Sequence, residues 1–127
     1  MPLVTSKKML DDAQKGGYAV GAFNAENMEM VKAIIAAAEE LQAPVMIQTT
    51  PSTVKYASLE MFAAMVAAEA SKASVPVCLH LDHGNSFGLA VQAMKAGYTS
   101  VMIDGSAKDF EGNVEVSKKV ADAANPL

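Results

Sequence analysis

The sequence predicts an α/β fold of parallel βα units that makes up half of a (β/α)8, or TIM, barrel. A unit of strand, polar residue and helix repeats four times along the 127 residues, at roughly the 30-residue length of a βα element. The strands are near-continuous apolar runs, as expected of a parallel sheet covered by helices. A complete barrel takes about 250 residues. Residues 1–127 are therefore expected to form the amino-terminal half of one barrel domain.

A short helix precedes the first predicted strand. Thr5 or Ser6 can cap its start, its apolar residues share one face, and the pair Gly16-Gly17 ends it. The first strand is expected at residues 19–24, where strand-forming residues end at the polar Asn24.

Three further βα units follow, and a capping residue, a glycine or a proline marks the element boundaries in each of them. Pro44 and Pro76 precede strands, Ser58 can cap a helix, and Gly97 can end one. Either Asn85 or Ser86 can cap the helix that ends at Gly97, and Pro51-Ser52-Thr53 is expected to form a turn. The later strands are predicted at residues 45–50, 77–84 and 100–105, and the helices at about 27–41, 58–70, 86–96 and 113–124.

An open, nucleotide-binding sheet is the competing α/β architecture. Such sheets usually carry a G-x-G-x-x-G turn after the first strand, and this chain has Asn24-Ala25-Glu26 there. The barrel is therefore favoured.

The composition disfavours several partners. A formal net charge of −4 and an isoelectric point near 5.0 offer no positive surface for nucleic acid or an anionic membrane. No run approaches the ~18 apolar residues of a membrane span, and the first residues lack the apolar core of a signal peptide. The single cysteine, Cys78, lies in an apolar strand and is expected to be a small core residue in a reducing compartment. These features predict a soluble, cytoplasmic protein.

The segment Val77–Gly84 carries both histidines of the chain and ends in Asp82-His83-Gly84. An aspartate and a histidine at the carboxyl end of a parallel strand can serve as a proton-transfer group and a metal ligand. The alternative is a polar pair that caps the next helix. Barrel active sites collect polar residues from the carboxyl ends of several strands, and all four predicted ends offer them. The candidates are Asn24, Thr50 with Ser52, Asp82 with His83, and Asp104.

Three segments resemble one enzyme family. They are Leu79–Gly84 (L-H-L-D-H-G), Gly17–Asn24 (G-Y-A-V-G-A-F-N) and Ser100–Ser106 (S-V-M-I-D-G-S). Together they are similar to the amino-terminal half of the class II, zinc-dependent ketose-bisphosphate aldolases. The resemblance implies reversible aldol cleavage of fructose 1,6-bisphosphate to dihydroxyacetone phosphate and glyceraldehyde 3-phosphate, with zinc stabilising an enediolate. Tagatose 1,6-bisphosphate is the alternative substrate, and a non-catalytic half-barrel assembly module is the alternative of a different class.

The resemblance also implies roles for individual residues. Asp82 matches the acid/base that exchanges a proton with the C4 hydroxyl, and His83 matches the first zinc ligand. Asp104 matches a carboxylate near the metal that can serve a second cation position, and Asn24 and Thr50 match residues lining the site. The hydroxyl of Ser52 could bond a phosphate or sugar, although turn chemistry also explains it. His80 is expected to be a hydrogen-bonded core residue.

The chain departs from the family pattern in two ways. No histidine follows Ser106, where family members usually have one, and the remaining zinc ligands and phosphate-binding loops belong to the half that this sequence lacks. Catalytic zinc takes about three protein ligands, so we expect weak zinc affinity and no meaningful aldolase activity from these residues alone. A half-barrel also has open strand edges, which predicts either a homo-oligomer or association with a second half-barrel.

Overall fold

The computed structural model describes residues 2–126 and places their strands in one parallel sheet with the order β1-β2-β3-β4. The strands are β1 (Gly21–Asn24), β2 (Val45–Thr49), β3 (Val77–Gly84) and β4 (Ser100–Ile103). The helices are α1 (Ser6–Gly16), α2 (Met28–Leu41), α3 (Pro51–Ala57), α4 (Leu59–Ala70), α5 (Phe87–Ala96) and α6 (Phe110–Ala124). Each strand pairs with the next one along the chain, as the repeated βα unit predicts.

Local sequence signals set most of the helix boundaries. The hydroxyls of Ser58 and Ser86 accept hydrogen bonds from the first turns of α4 and α5, so Ser86 rather than Asn85 is the cap of α5. Gly17 and Gly97 adopt the left-handed conformation that ends α1 and α5. The prediction of these four boundary residues is confirmed.

Other predicted boundaries, in one turn, one helix and three strands, were wrong. Pro51-Ser52-Thr53 opens the helix α3 instead of forming a turn, because a proline at the first helical position needs no N–H partner and has a helical φ. The last helix begins at Phe110, since the side chain of Asp109 caps it by accepting from the Gly112 N–H. Strand pairing extends over shorter stretches than predicted, with β1 beginning at Gly21, β2 ending at Thr49 and β4 ending at Ile103.

The two faces of the sheet bury different residues. On the face that meets the helices, Ile47, Leu79 and Leu81 pack with residues of α2 and α4 in the main core. On the inner face, Met46 and Cys78 pack against Met9 of α1, which covers the amino ends of the strands. Cys78 is free and buried, and burial raises the pKa of its thiol, so its expected place in the core is confirmed. The carboxyl ends of the strands lie at the opposite edge.

Candidate active site

A row of polar side chains crosses the inner face of the sheet. The strand register aligns Asn24 with Gln48, Gln48 with His80, and His80 with Ser100. The amide nitrogen of Gln48 donates to Asn24 Oδ1 at 2.9 Å and to Asp82 Oδ2 at 3.3 Å. The amide therefore ties the end of β1 to the carboxylate on β3.

Gln48 was not among the candidate residues predicted from the sequence. The signal for it was a glutamine directly after the apolar run Val45–Ile47 and two positions after the inward-facing Met46. Because side chains of a strand alternate between faces, that spacing places Gln48 on the inner face as well.

His80 lies in the interior of this row. Its Nδ1 is 2.7 Å from Ser100 Oγ, and the ring is half-buried. Desolvation lowers the pKa of His80, while the charge of Asp82 opposes that shift. His80 is hydrogen-bonded, as expected, but it lies half-buried in the polar row and outside both hydrophobic clusters.

A β-bulge shapes the end of β3. Leu81 pairs with Val101, but the next pair is Gly84 with Ile103, so β3 has one residue more than β4 over this stretch. Within the bulge His83 has a φ of 52°, a left-handed conformation that non-glycine residues rarely adopt. Beyond the bulge the Asp104 N–H donates to the Gly84 carbonyl at 2.8 Å. The bulge therefore re-aims the His83 side chain and fixes Asp104 beside it.

Asp82, His83 and Asp104 form one ionisable cluster. His83 Nδ1 lies 2.7 Å from Asp104 Oδ2, and His83 Nε2 lies 3.8 Å from Asp82 Oδ2. The His83 side chain is 60% exposed, whereas both carboxylates are mostly covered. The hydrogen bond to Asp104 and the charge of Asp82 raise the pKa of His83. Hydrogen bonds from the hydroxyl and N–H of Ser106, and then the bond with His83, lower the pKa of Asp104 to about 2.

The lowered pKa of Asp104 determines which side chain donates in the hydrogen bond between His83 and Asp104. Asp104 is ionised at neutral pH, so its oxygen accepts and His83 Nδ1 donates. In the neutral imidazole, Nε2 is then left as an acceptor. A carboxylate that orients a histidine in this way commonly leaves the other ring nitrogen for a metal or a proton.

Thr50 and Ser52 belong to a second cluster at the start of α3. Thr50 Oγ1 lies 3.0 Å from Ser52 Oγ and 3.3 Å from Thr53 Oγ1, and the Thr53 hydroxyl donates to Glu26 Oε2 at 2.8 Å. Glu26 follows β1, so this chain of hydroxyls joins the loop after β1 to the first turn of α3. Between residues 2 and 126, no hydrogen bond joins this cluster to the Asp82 cluster.

The donor set on this chain does not complete a zinc site. Within the described part of the chain, no group of three or more histidine, cysteine, aspartate or glutamate side chains is arranged to hold a metal ion. His83 offers one imidazole nitrogen, and the nearest carboxylate is already its hydrogen-bond partner. Catalytic zinc needs about three protein ligands, and the described residues do not supply that number at one place. None of the described helices is both long and apolar enough to cross a membrane.

A parallel βα sheet in sequential strand order, with ionisable residues at the carboxyl ends of its strands, is typical of part of a (β/α)8 barrel. The profile of the family described as "Fructose-bisphosphate aldolase class-II" matches residues 4–127. The chain belongs to the class II fructose-bisphosphate aldolase family.

Similar proteins agree with this assignment. The fructose-bisphosphate aldolase of Thermus caldophilus is 46% identical over 98% of this chain and 41% of its own length. The sulfofructosephosphate aldolase of Alkalicoccus urumqiensis is 43% identical over 100% of this chain and 44% of its own. The crystal structure of the YdjI aldolase from Escherichia coli K12 matches with a TM-score of 0.92 and 39% identity, over 98% of this chain and 48% of that chain.

The chain spans less than half the length of each of these relatives. Four parallel strands superpose on an aldolase built as an eight-stranded barrel. The predicted fold, the amino-terminal half of a (β/α)8 barrel, is thereby confirmed.

Proposed function

We propose that this chain is the amino-terminal half of an enzyme that reversibly cleaves fructose 1,6-bisphosphate to dihydroxyacetone phosphate and glyceraldehyde 3-phosphate. The observation that carries the proposal is the cluster of Asp82, His83 and Asp104 at the carboxyl ends of β3 and β4. Its place on a half-barrel of the class II aldolase family supports an active-site role. Residues 1–127 would form one half of a single barrel domain.

Asp82 is the proposed acid/base. It lies at the mouth of the barrel, and the Gln48 amide holds one of its oxygens. In cleavage the carboxylate would accept the proton of the C4 hydroxyl as the adjacent carbon–carbon bond breaks, and in condensation it would return that proton. The amide bond from Gln48 keeps the carboxylate oriented toward the substrate.

His83 is the proposed first ligand of a zinc ion. Its Nε2 is free to coordinate because Asp104 holds Nδ1, and Asp104 would thus act mainly by orienting the ring, with a second cation position as its further role. Bound zinc would supply Lewis-acid polarisation of the substrate carbonyl. The missing ligands would come from the second half of the barrel, so the isolated chain should bind zinc weakly.

Asn24, Thr50 and Ser52 are the proposed substrate contacts. Asn24 lies at the end of β1 and shares the Gln48 amide with Asp82. The hydroxyls of Thr50 and Ser52 lie at the end of β2, where they could bond a hydroxyl or phosphate oxygen of the sugar. The phosphate-binding loops would belong to the second half.

The proposed enzyme works as a closed barrel in the cytoplasm, in glycolytic carbohydrate metabolism. Closure requires a second half-barrel, whether in one polypeptide or by association of chains, and homo-oligomers of the closed barrel are compatible with it. The isolated chain would have no meaningful activity, because residues 2–126, which the structure describes, hold no complete metal site.

The test is an aldol-cleavage assay of this chain joined to the second half of the Thermus caldophilus relative, with the isolated chain as control. We expect zinc-dependent cleavage of fructose 1,6-bisphosphate by the joined protein and none by the isolated chain. Cleavage of tagatose 1,6-bisphosphate and of sulfofructose phosphate is assayed in parallel. Sulfofructose phosphate is included because the sulfofructosephosphate aldolase is 43% identical to this chain, against 46% for the fructose-bisphosphate aldolase of Thermus caldophilus. Cleavage of none of the three sugars would refute the proposal and favour the non-catalytic module.

A further inference from the structure

Hydrogen bonding, rather than packing, sets the orientation of the His83 ring. The side chain is 60% exposed, so few neighbouring atoms restrict its rotation. Its Nδ1 lies 2.7 Å from Asp104 Oδ2, whereas its Nε2 lies 3.8 Å from Asp82 Oδ2, which is beyond hydrogen-bond distance. The ring is therefore only as well oriented as the Asp104 carboxylate that holds it.

Ser106 holds the other oxygen of that carboxylate. The Ser106 N–H donates to Asp104 Oδ1 at 3.0 Å, whereas His83 bonds to Oδ2. The Ser106 hydroxyl donates a further hydrogen bond to the same carboxylate. A planar carboxylate cannot turn about its Cβ–Cγ bond without loosening the bonds at both oxygens. The serine and the histidine together therefore determine the plane of the carboxylate.

The loop that carries Ser106 is fixed by contacts of its own. The Lys108 N–H donates to the Gly105 carbonyl at 2.9 Å and so closes a turn that contains Ser106. Gly105 is buried, and a β-carbon at that position would collide with the Asn113 side chain of α6. The loop therefore packs directly against the helix, and the donors of Ser106 are held in place for the carboxylate.

We propose that Ser106 is a positioning residue of the site, which holds Asp104 so that the neutral His83 ring keeps its proton on Nδ1 and presents Nε2 as an acceptor. An Asx turn is the alternative explanation, since an aspartate often accepts from the N–H two residues further on. Such a turn needs only the N–H, and the bond from the hydroxyl is left unexplained. The inference deepens the proposed function and rests on it only for the use to which Nε2 is put.

The test measures the tautomer of His83 by nitrogen NMR of the histidine-labelled chain, with a chelator present and at a pH where the ring is neutral. The nitrogen chemical shift distinguishes a ring nitrogen that carries a proton from one that does not. The chain has two histidines, and His80, which bonds to Ser100, provides an internal reference.

The variants separate the hydroxyl of Ser106 from its N–H. Ser106→Ala removes the hydroxyl and keeps the N–H, Ser106→Cys replaces the hydroxyl by a weak donor, and Ser106→Thr restores a hydroxyl. Ser71→Ala is the matched control, because it also removes an exposed serine hydroxyl that donates a hydrogen bond, in this case to the Ala68 carbonyl. Circular dichroism establishes that each variant folds, as expected because the backbone bonds of the loop are retained.

We expect the His83 proton to lie mainly on Nδ1 in the original chain, in Ser106→Thr and in Ser71→Ala. In Ser106→Ala and Ser106→Cys, the ratio of the two neutral tautomers should fall by about fivefold, the effect of losing one hydrogen bond. An unchanged ratio in Ser106→Ala, a ratio that Ser106→Thr does not restore, or an equal change in Ser71→Ala would each overturn the inference.

Aldolase activity is measured separately, in the protein that joins this chain to the second half of the Thermus caldophilus relative. There Ser106→Ala should lower kcat for fructose 1,6-bisphosphate and leave KM unchanged, because the serine acts through Asp104 and His83 rather than on the substrate. A tautomer ratio that responds to Ser106→Ala, in a joined protein that cleaves no sugar, would refute the proposed function and leave this inference standing.

Discussion

Replacing Gly84 with alanine should destabilise the protein by forcing β3 and β4 apart at the bulge. A β-carbon on Gly84 would lie 2.6 Å from the Met102 carbonyl oxygen, a backbone atom that cannot rotate away. An ordinary carbon–oxygen contact is about 3.3 Å, so β4 would have to move by roughly 0.7 Å. Gly84 does not have a positive φ, so the cost is steric rather than conformational.

The size of the effect follows from two contributions. Overpacking of this kind costs about 1–3 kcal/mol. The shift also weakens the 2.8 Å hydrogen bond from the Asp104 N–H to the Gly84 carbonyl, which contributes about 1 kcal/mol. We therefore expect Gly84→Ala to lower the free energy of unfolding by about 2–4 kcal/mol. Because that bond positions Asp104, its amide proton should also exchange faster with solvent.

Urea denaturation followed by circular dichroism, with hydrogen exchange by NMR, measures both effects. The control is Gly88→Ala, since a β-carbon on Gly88 in helix α5 would meet only Ser86 Oγ, at 4.0 Å. We expect that variant to be more stable by about 0.5–1 kcal/mol, because alanine is the better helix former. Equal stabilities for the two variants, or unchanged exchange of the Asp104 amide in Gly84→Ala, would refute the steric reasoning.

Two further predictions concern stability. The Glu39 carboxylate accepts hydrogen bonds from the N–H and hydroxyl of Ser74 and from the Val75 N–H, which hold its pKa below the ordinary 4.5. A carboxylate whose pKa is lowered on folding stabilises the folded state above pH 4.5, and this stabilisation is lost as the pH falls through the pKa of the folded state. The melting temperature of Glu39→Gln should therefore be lower than that of the original chain at pH 7, and the two melting temperatures should converge in acid. A difference that does not depend on pH would contradict this. Thr49 and Tyr98 share a buried 2.8 Å hydrogen bond. Thr49→Val should lower the free energy of unfolding, measured by urea denaturation, by about 1–3 kcal/mol, because it leaves the tyrosine hydroxyl unpaired. The double variant with Tyr98→Phe should lose less stability than the sum of the two single variants, and strict additivity would contradict the pairing.

The repeated βα pattern predicted the parallel sheet, and the absence of a glycine-rich turn after β1 together with the polar strand ends favoured a half-barrel over an open sheet. Ser58, Ser86, Gly17 and Gly97 act within one helical turn, so the sequence around each of them is enough to place a helix end. The helix α3 was not predicted, because the sequence signals for it are weak and ambiguous. Its seven residues are too few to show a helical apolar period, and the proline that begins it also suggests a turn.

The position of the candidate residues at the ends of the strands was predictable from the sequence, but the contacts between those residues were not. Asp82 and His83 are adjacent in the sequence, so their shared location was evident. The partnership of His83 with Asp104 depends on the bulge between β3 and β4, which is a property of strand pairing rather than of either segment. Gln48 was missed because its significance comes from Asp82 on the neighbouring strand. Contacts between strands require the register, which the sequence alone does not specify.

We propose that Asp82 is the acid/base group of an aldolase whose second half lies outside this chain. The most direct measurement is kcat for fructose 1,6-bisphosphate cleavage by the joined two-half protein, comparing Asp82→Asn with Asp12→Asn on α1, at the opposite end of the sheet. A positioned acid/base contributes about 10²–10⁴-fold, so we expect Asp82→Asn to lower kcat by that factor and Asp12→Asn to leave it unchanged. Equal kcat values for the two variants would contradict an acid/base role for Asp82.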